Sequence, residues 1–209
     1  MLQNQKKINQ LLLEEKRQKA RGFKIIAGID EAGRGPLAGP VVAASVILKS
    51  FDFKSQIDDS KKLSSKARQK AYAEIVKKAY IGVGIVSEEV IDTINIYQAT
   101  RLAMEQSVFN LRILPDLLLV DGNMRLRLGM DQIQIIKGDQ SSLSIASASI
   151  VAKVTRDRLL EFYDRIFPGY KFASHKGYGT KAHMEVLEKK GFSPIHRTTF
   201  NSNPLKSKA

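Results

Sequence analysis

The sequence predicts an α/β domain in which one central, mixed, five-stranded sheet is flanked by helices and followed by a helical C-terminal part. Three observations lead there. Five short apolar runs interleave with longer segments whose apolar residues recur at helical spacing. The first two runs are joined by a short turn, so that pair is antiparallel and the sheet is mixed. No internal repeat or low-complexity linker divides the 209 residues, a length suited to one sizeable domain.

Residues 1–22, with Lys6, Lys7, Lys16, Arg17, Lys19 and Arg21, read as a basic helical N-terminal extension. Leu11, Leu12 and Leu13 give it a side to dock, and a terminus without enough such contact frays. The domain proper spans 23–200. Its first strand, Lys24–Ile29, runs into Asp30-Glu31, and after a glycine-rich turn Val41–Leu48 makes the second. A helix near Ser65–Ala79, apolar at Ala67, Ala71, Ile75 and Ala79, begins at an N-cap serine, Ser64 or Ser65. Tyr80–Val86 is the third strand. Continuous apolar runs of this kind suit strands covered on both faces.

A longer helix near Asn95–Leu111 follows, with Tyr97, Met104, Val108 and Leu111 on one face. Pro115 closes the connection to the fourth strand, Leu117–Val120, which runs into Asp121. A fifth, about Gln132–Ile136, leads to Lys137-Gly138-Asp139. Leu143–Arg165 is helical, and its run Ala146-Ser147-Ala148-Ser149 is small enough to lie close to a sheet. From Pro168 the chain is rich in Gly, Lys, His and aromatic residues, with a helix near Lys181–Lys190 and a tail at 201–209.

Composition narrows the functional classes. Cysteine is absent, which excludes disulfides and thiolate metal sites and fits a reducing compartment. The longest uncharged run of interest, Gly35–Leu48, is broken by Pro36, Gly39 and Pro40 and falls short of the roughly 20 apolar residues of a spanning helix. The N-terminus lacks the long apolar stretch of an export signal, so cytoplasm is expected and a membrane partner is not. The net charge of +13 attracts polyanions, nucleic acid foremost.

Asp30 and Glu31 close the first strand, Asp121 the fourth, and Asp139 follows the fifth. Acids gathered beyond strand ends repel unless a cation joins them, and hard carboxylate oxygens suit Mg²⁺ or Mn²⁺. Taken singly, Asp121-Gly122-Asn123 and Gly138-Asp139 are also ordinary turn chemistry, so position alone leaves both readings open. The turn Asp30-Glu31-Ala32-Gly33-Arg34-Gly35-Pro36-Leu37-Ala38-Gly39-Pro40 favours a site. Its glycines let backbone amides approach a ligand, and Arg34 beside the carboxylates can contact phosphate.

That turn resembles the signature of the type 2 ribonucleases H, bacterial ribonuclease HII in particular. The resemblance continues in order through Asp59-Ser60-Lys61-Lys62-Leu63-Ser64, Asn95-Ile96, Val120-Asp121-Gly122-Asn123, Lys137-Gly138-Asp139, Ala146 to Asp157, and His175-Lys176-Gly177-Tyr178-Gly179-Thr180. It implies a ribonuclease-H-like fold and a site in which Asp30, Glu31, Asp121 and Asp139 hold two Mg²⁺ or Mn²⁺ ions. Its implied substrates are RNA–DNA hybrids and duplex DNA with embedded ribonucleotides. Cutting falls on the 5′ side of the ribonucleotide and leaves 5′-phosphate and 3′-hydroxyl ends.

The resemblance also implies that Gly33-Arg34-Gly35 senses the ribose 2′-hydroxyl through backbone groups and that Tyr178 packs on the neighbouring sugar. Lys61, Lys62, Asn95, Lys153 and Lys176 are candidate phosphate contacts. Asp157 reads as a salt-bridge partner of Arg156 or Lys153, His175 as a groove residue, and His183 and His196 as structural. The N-terminal extension is too short for the additional domain of the sister type, ribonuclease HIII, and the family expectation is a monomer. Two rivals share the fold: a hybrid-binding protein without catalysis, and a junction-resolving nuclease. The complete set of four acids argues against the first, and the Arg34 loop with the Tyr178 block against the second.

Overall fold

The computed structural model describes residues 2–200, and the tail expected at 201–209 lies outside the described residues. Two short helices, α1 (Leu2–Leu11) and α2 (Leu13–Ala20), precede strands β1 (Ile26–Ala32) and β2 (Val41–Leu48). Helix α3 (Ser65–Lys78), strand β3 (Ala79–Val86), helix α4 (Glu88–Phe109) and strands β4 (Leu117–Asp121) and β5 (Asp131–Ile135) follow. A single 3-10 turn at Gly138–Gln140 leads into α5 (Leu143–Ile166), and α6 (Phe172–His175) and α7 (Lys181–Lys190) complete the C-terminal part.

The sheet runs β3-β2-β1-β4-β5. The pairs β1–β2 and β2–β3 are antiparallel, as the short turn after β1 requires, whereas β1–β4 and β4–β5 are parallel. Side-chain alternation splits β2 between two cores. Val41, Ala43 and Ile47 pack toward α4 with Ile91, Ala99, Ala103, Met104 and Val108. Ala44 and Val46 pack toward α3 and α5 on the opposite face. The N-terminal extension docks there too, burying Ile8, Leu11 and Leu12, while Leu13 is left exposed.

Helix α5 lies close to the sheet because small residues meet on both sides. A Cβ added to Gly28 of β1 would fall on the Ser144 carbonyl carbon and the Ile145 nitrogen. Serine caps start these long helices: Ser64, suggested by the sequence, accepts from Ala67 N in α3, and Ser142 accepts from Ile145 N in α5.

Three sequence expectations need correction. Helix α4 begins at Glu88, capped by Ser87, and not at Asn95. Asn95 sits inside it at φ 66°, ψ 163°, breaking the helix, and its Oδ1 accepts from Tyr97 N and Gln98 N. The asparagine is therefore a local cap inside a longer helix. Tyr97 is exposed because Ala99, Ala103, Met104 and Val108 set the buried face. β3, read as covered on both faces, is an edge strand with Ile85 exposed.

Candidate active site

The parallel pairing of β1, β4 and β5 brings their C-terminal ends to one edge of the sheet. Ile29 pairs with Val120 and Asp121 with Ile135, so Asp30 and Asp121 leave adjacent strands side by side, and Asp139 follows β5 within one turn. They line one cleft of about 450 Å³ together with Glu31, Ala32, Gly33, Arg34, Gly35, Ser60, Lys61, Ser149, Lys153 and Tyr178.

Helix α5 supplies the floor. Gly28 and Asp30 share the β1 face turned to α5, about 6.6 Å apart along the strand. Gly28 meets Ser144, and Ser149 lines the cleft with Asp30. Ser149 Oγ in turn lies 2.9 Å from Ser60 Oγ.

The four acids differ in surroundings. Burial, then the neighbouring charges of Glu31 and Asp121, holds the Asp30 carboxyl well above its ordinary range. One Asp30 oxygen accepts from Glu31 N at 2.7 Å. Burial also raises Glu31, opposed by the Arg34 guanidinium, whose Nη1 stands 3.3 Å from Glu31 Oε1. Asp121 Oδ1 accepts from Gly138 N at 2.7 Å, which ties the end of β4 to the turn carrying Asp139. Asp139 is pushed up to about 6 by burial and by Asp59 and Asp121.

These carboxylates crowd the cleft as anions that burial and one another oppose, with Lys61 and Arg34 as partial compensation. Oxygen donors in such an arrangement fit a hard divalent cation. Among the described residues no three acidic or histidine side chains close on a single point, so the acids line the cleft walls.

The structure thus gathers ten of the sequence-derived site residues: Asp30, Glu31, Gly33, Arg34, Gly35, Lys61, Asp121, Asp139, Lys153 and Tyr178. Lys153 Nζ lies 5.8 Å over the Tyr178 ring and pairs with Asp157 at 2.8 Å. Lys62, Asn95 and Lys176 do not line the cleft: Lys62 is exposed beside it, Asn95 caps within α4, and Lys176 pairs with Glu161 at 2.7 Å.

Arg156 does not pair with Asp157; its three nitrogens donate to the carbonyls of Pro40, Lys176 and Ala38. His175, expected in the groove, instead stacks on His183 at 4.0 Å between ring centroids, and its Nε2 meets the Tyr170 carbonyl. Sequence reasoning missed Ser60, Ser149 and Arg197. The two serines lie inside the motif segments 59–64 and 146–157 but carry no charge to mark them, and Arg197 is 158 residues from the Gly39 carbonyl it meets.

The sequence model of the ribonuclease HII family matches residues 27–203. A ribonuclease HII of Acetivibrio thermocellus is 50% identical over 206 residues, covering 97% of this chain and 80% of the relative. One of Syntrophus aciditrophicus is 54% identical over 186 residues, 88% of each. Among solved structures, ribonuclease H2 from Pyrococcus horikoshii superposes with a TM-score of 0.71 at 26% identity, over 85% of this chain and 94% of that one. The ribonuclease HII in a PCNA complex from Archaeoglobus fulgidus gives 0.74 at 28%, over 85% and 95%.

Proposed function

Because the chain belongs to the ribonuclease HII family, and is thereby a metal-dependent endonuclease that degrades the RNA of RNA–DNA hybrids, we propose that it also nicks duplex DNA 5′ of single embedded ribonucleotides. The supporting observation is the sharing of one cleft by four carboxylates from three strand ends and the Gly33–Gly35 loop.

In this reading Asp30, Glu31, Asp121 and Asp139 hold two Mg²⁺ or Mn²⁺ ions. When bound, such ions activate a water and neutralise the charge growing on the leaving 3′ oxygen, which gives 5′-phosphate and 3′-hydroxyl ends. Gly138 N orients Asp121 and Glu31 N orients Asp30, so these two acids each present a fixed oxygen to the cleft. The backbone of Gly33-Arg34-Gly35 meets the ribose 2′-hydroxyl, the group that separates RNA from DNA. Tyr178, 42% exposed at the cleft rim, offers its ring face to the next sugar.

Lys61 and Lys153 meet phosphates within the cleft, and Lys62, Asn95 and Lys176 meet the duplex beyond it. No described helix is long and apolar enough to cross a membrane, and the cytoplasm is the proposed setting.

The test is cleavage of a DNA duplex carrying one ribonucleotide. A single nick on its 5′ side, dependent on Mg²⁺ or Mn²⁺, is expected. Cutting that persists in EDTA, or equal cutting of an all-DNA duplex, overturns the reading.

A further inference from the structure

Two arginines are among the largest fully buried side chains of the protein, Arg156 at 0% and Arg197 at 1% exposure, and among the described residues neither forms an ion pair. Burying a guanidinium without a carboxylate is costly unless all its donors are used. Here they converge on the glycine-rich turn. Arg197 Nη2 donates to the Gly33 carbonyl at 2.6 Å and Nη1 to the Arg34 carbonyl at 3.0 Å. Nη1 also reaches Pro36 O, while Nε and Nη2 share Gly39 O. Arg156 takes Ala38, Pro40 and Lys176. A Cβ on Gly33, at φ 101°, would fall on the Arg156 guanidinium, so the turn closes directly over the pair.

Peptide planarity turns this clamp into a statement about the cleft. In a trans peptide unit the C=O of one residue and the N–H of the next point in opposite directions, and no peptide bond here is cis. Drawing the Gly33 and Arg34 carbonyls onto Arg197 therefore turns the Arg34 and Gly35 amides away from it. Both residues line the cleft, and a Cβ on Gly35 would meet open space. Among the described residues no protein acceptor meets either amide.

We infer that Arg197, with Arg156 beside it, is a positioning residue for sugar discrimination. By seizing the carbonyl side of the turn from beneath, it aims two consecutive N–H donors at the ribose oxygen. The inference rests on the proposed ribonucleotide cleavage. It assigns the discrimination to a residue from the C-terminal segment that never touches substrate. Lysine cannot replace it, because an ammonium is a compact donor without the planar fork that spans Gly33, Arg34, Pro36 and Gly39.

The experiment compares the wild type with Arg197→Lys and Arg156→Lys on a duplex with one ribonucleotide. The control is the same duplex carrying a 2′-fluoro nucleotide at that position, and thermal melts establish that each variant is folded. In a folded variant kcat on the ribonucleotide falls while KM for the duplex stays nearly constant. The preference for ribose over 2′-fluoro shrinks about tenfold, the weight of one well-made hydrogen bond. A folded variant with unchanged preference, or an equal loss on both substrates, overturns the inference.

Hydrogen exchange on the wild type needs no variant. The Arg34 and Gly35 amides should be protected by an RNA–DNA hybrid in Ca²⁺ and not by an all-DNA duplex; equal protection by both overturns the inference. A wild type that does not cut at the ribonucleotide at all would instead sink the proposed function itself.

Discussion

At the scale of single residues, Asp30 and Asp139 are carboxyls that the folded chain prefers not to ionise, because burial and their neighbours disfavour the charge. A carboxyl raised to about 6 costs stability above that pH, and the cost is relieved as pH falls toward the ordinary 3.8. Asp121→Asn keeps an oxygen for Gly138 N and removes one negative charge. It should lower metal-dependent cleavage by at least about a hundredfold. The same substitution should raise Tm by a few degrees in metal-free buffer, read by thermal melts in EDTA. An unchanged or lower Tm would show that the acids do not strain one another. His183 and His196 act in the opposite sense. His183 Nδ1–H donates to Tyr178 O at 2.9 Å, which leaves its Nε2 to accept from His196 Nε2–H at 3.0 Å, and His196 Nδ1 accepts from Ser193 N. Burial, more than any neighbouring charge, pushes each ring down to about 4. Their stability contribution is present above the ordinary 6.5 and is lost as pH falls toward 4, at about 1.4 kcal/mol per pH unit for each ring. Because the acids and histidines oppose one another in this window, imidazole ¹⁵N shifts separate them: both rings should remain neutral at about pH 5.5.

Among the elements, α5 joins stability to the site. It packs on β1 and β2, carries Ser149 and Lys153 into the cleft, and seats Arg156 under the glycine-rich turn. Its N-terminus is held by the N-terminal extension. Glu15 of α2, 4% exposed, accepts through Oε1 from Ser142 Oγ, Ser144 N and Ser144 Oγ at 2.6–2.9 Å. A carboxylate there satisfies otherwise unpaired donors and complements the helix dipole. Glu15→Ala should therefore lose about 2 kcal/mol in urea unfolding. The kcat of the folded protein should stay within a factor of two or so, since Glu15 does not line the cleft. A loss of kcat without loss of stability would contradict this division.

For the whole molecule, the excess of 34 lysines and arginines over 21 acids sets a salt dependence. Binding that neutralises phosphates releases counterions, so raising salt from about 50 to 200 mM should weaken hybrid and all-DNA duplex binding with nearly equal slopes. The preference for ribose should hold, because it resides in amides and not in ion pairs. Fluorescence anisotropy on a catalytically silent Asp121→Asn protein measures the slopes, and wild-type cleavage of the ribonucleotide and 2′-fluoro duplexes measures the preference; a preference that vanishes with salt would place discrimination in the lysines.

The sequence by itself determined the succession of strands and helices along the chain, the antiparallel start of the sheet, the serine cap of α3, and the acids at strand ends. Each follows from local patterning: apolar runs, a short turn, cap chemistry and residue type. It misjudged α4 because Asn95 caps locally in the middle of a helix, and it could not tell that β3 is an edge, since strand order is a property of packing. Only the tertiary structure decided that Asp30, Asp121 and Asp139 share a cleft with Gly33–Gly35, that His175 leaves it, and that Arg197 clamps the turn. The physical reason is distance along the chain. Parallel pairing and a buried guanidinium join residues about 90 to 160 positions apart, and no local pattern records such a contact.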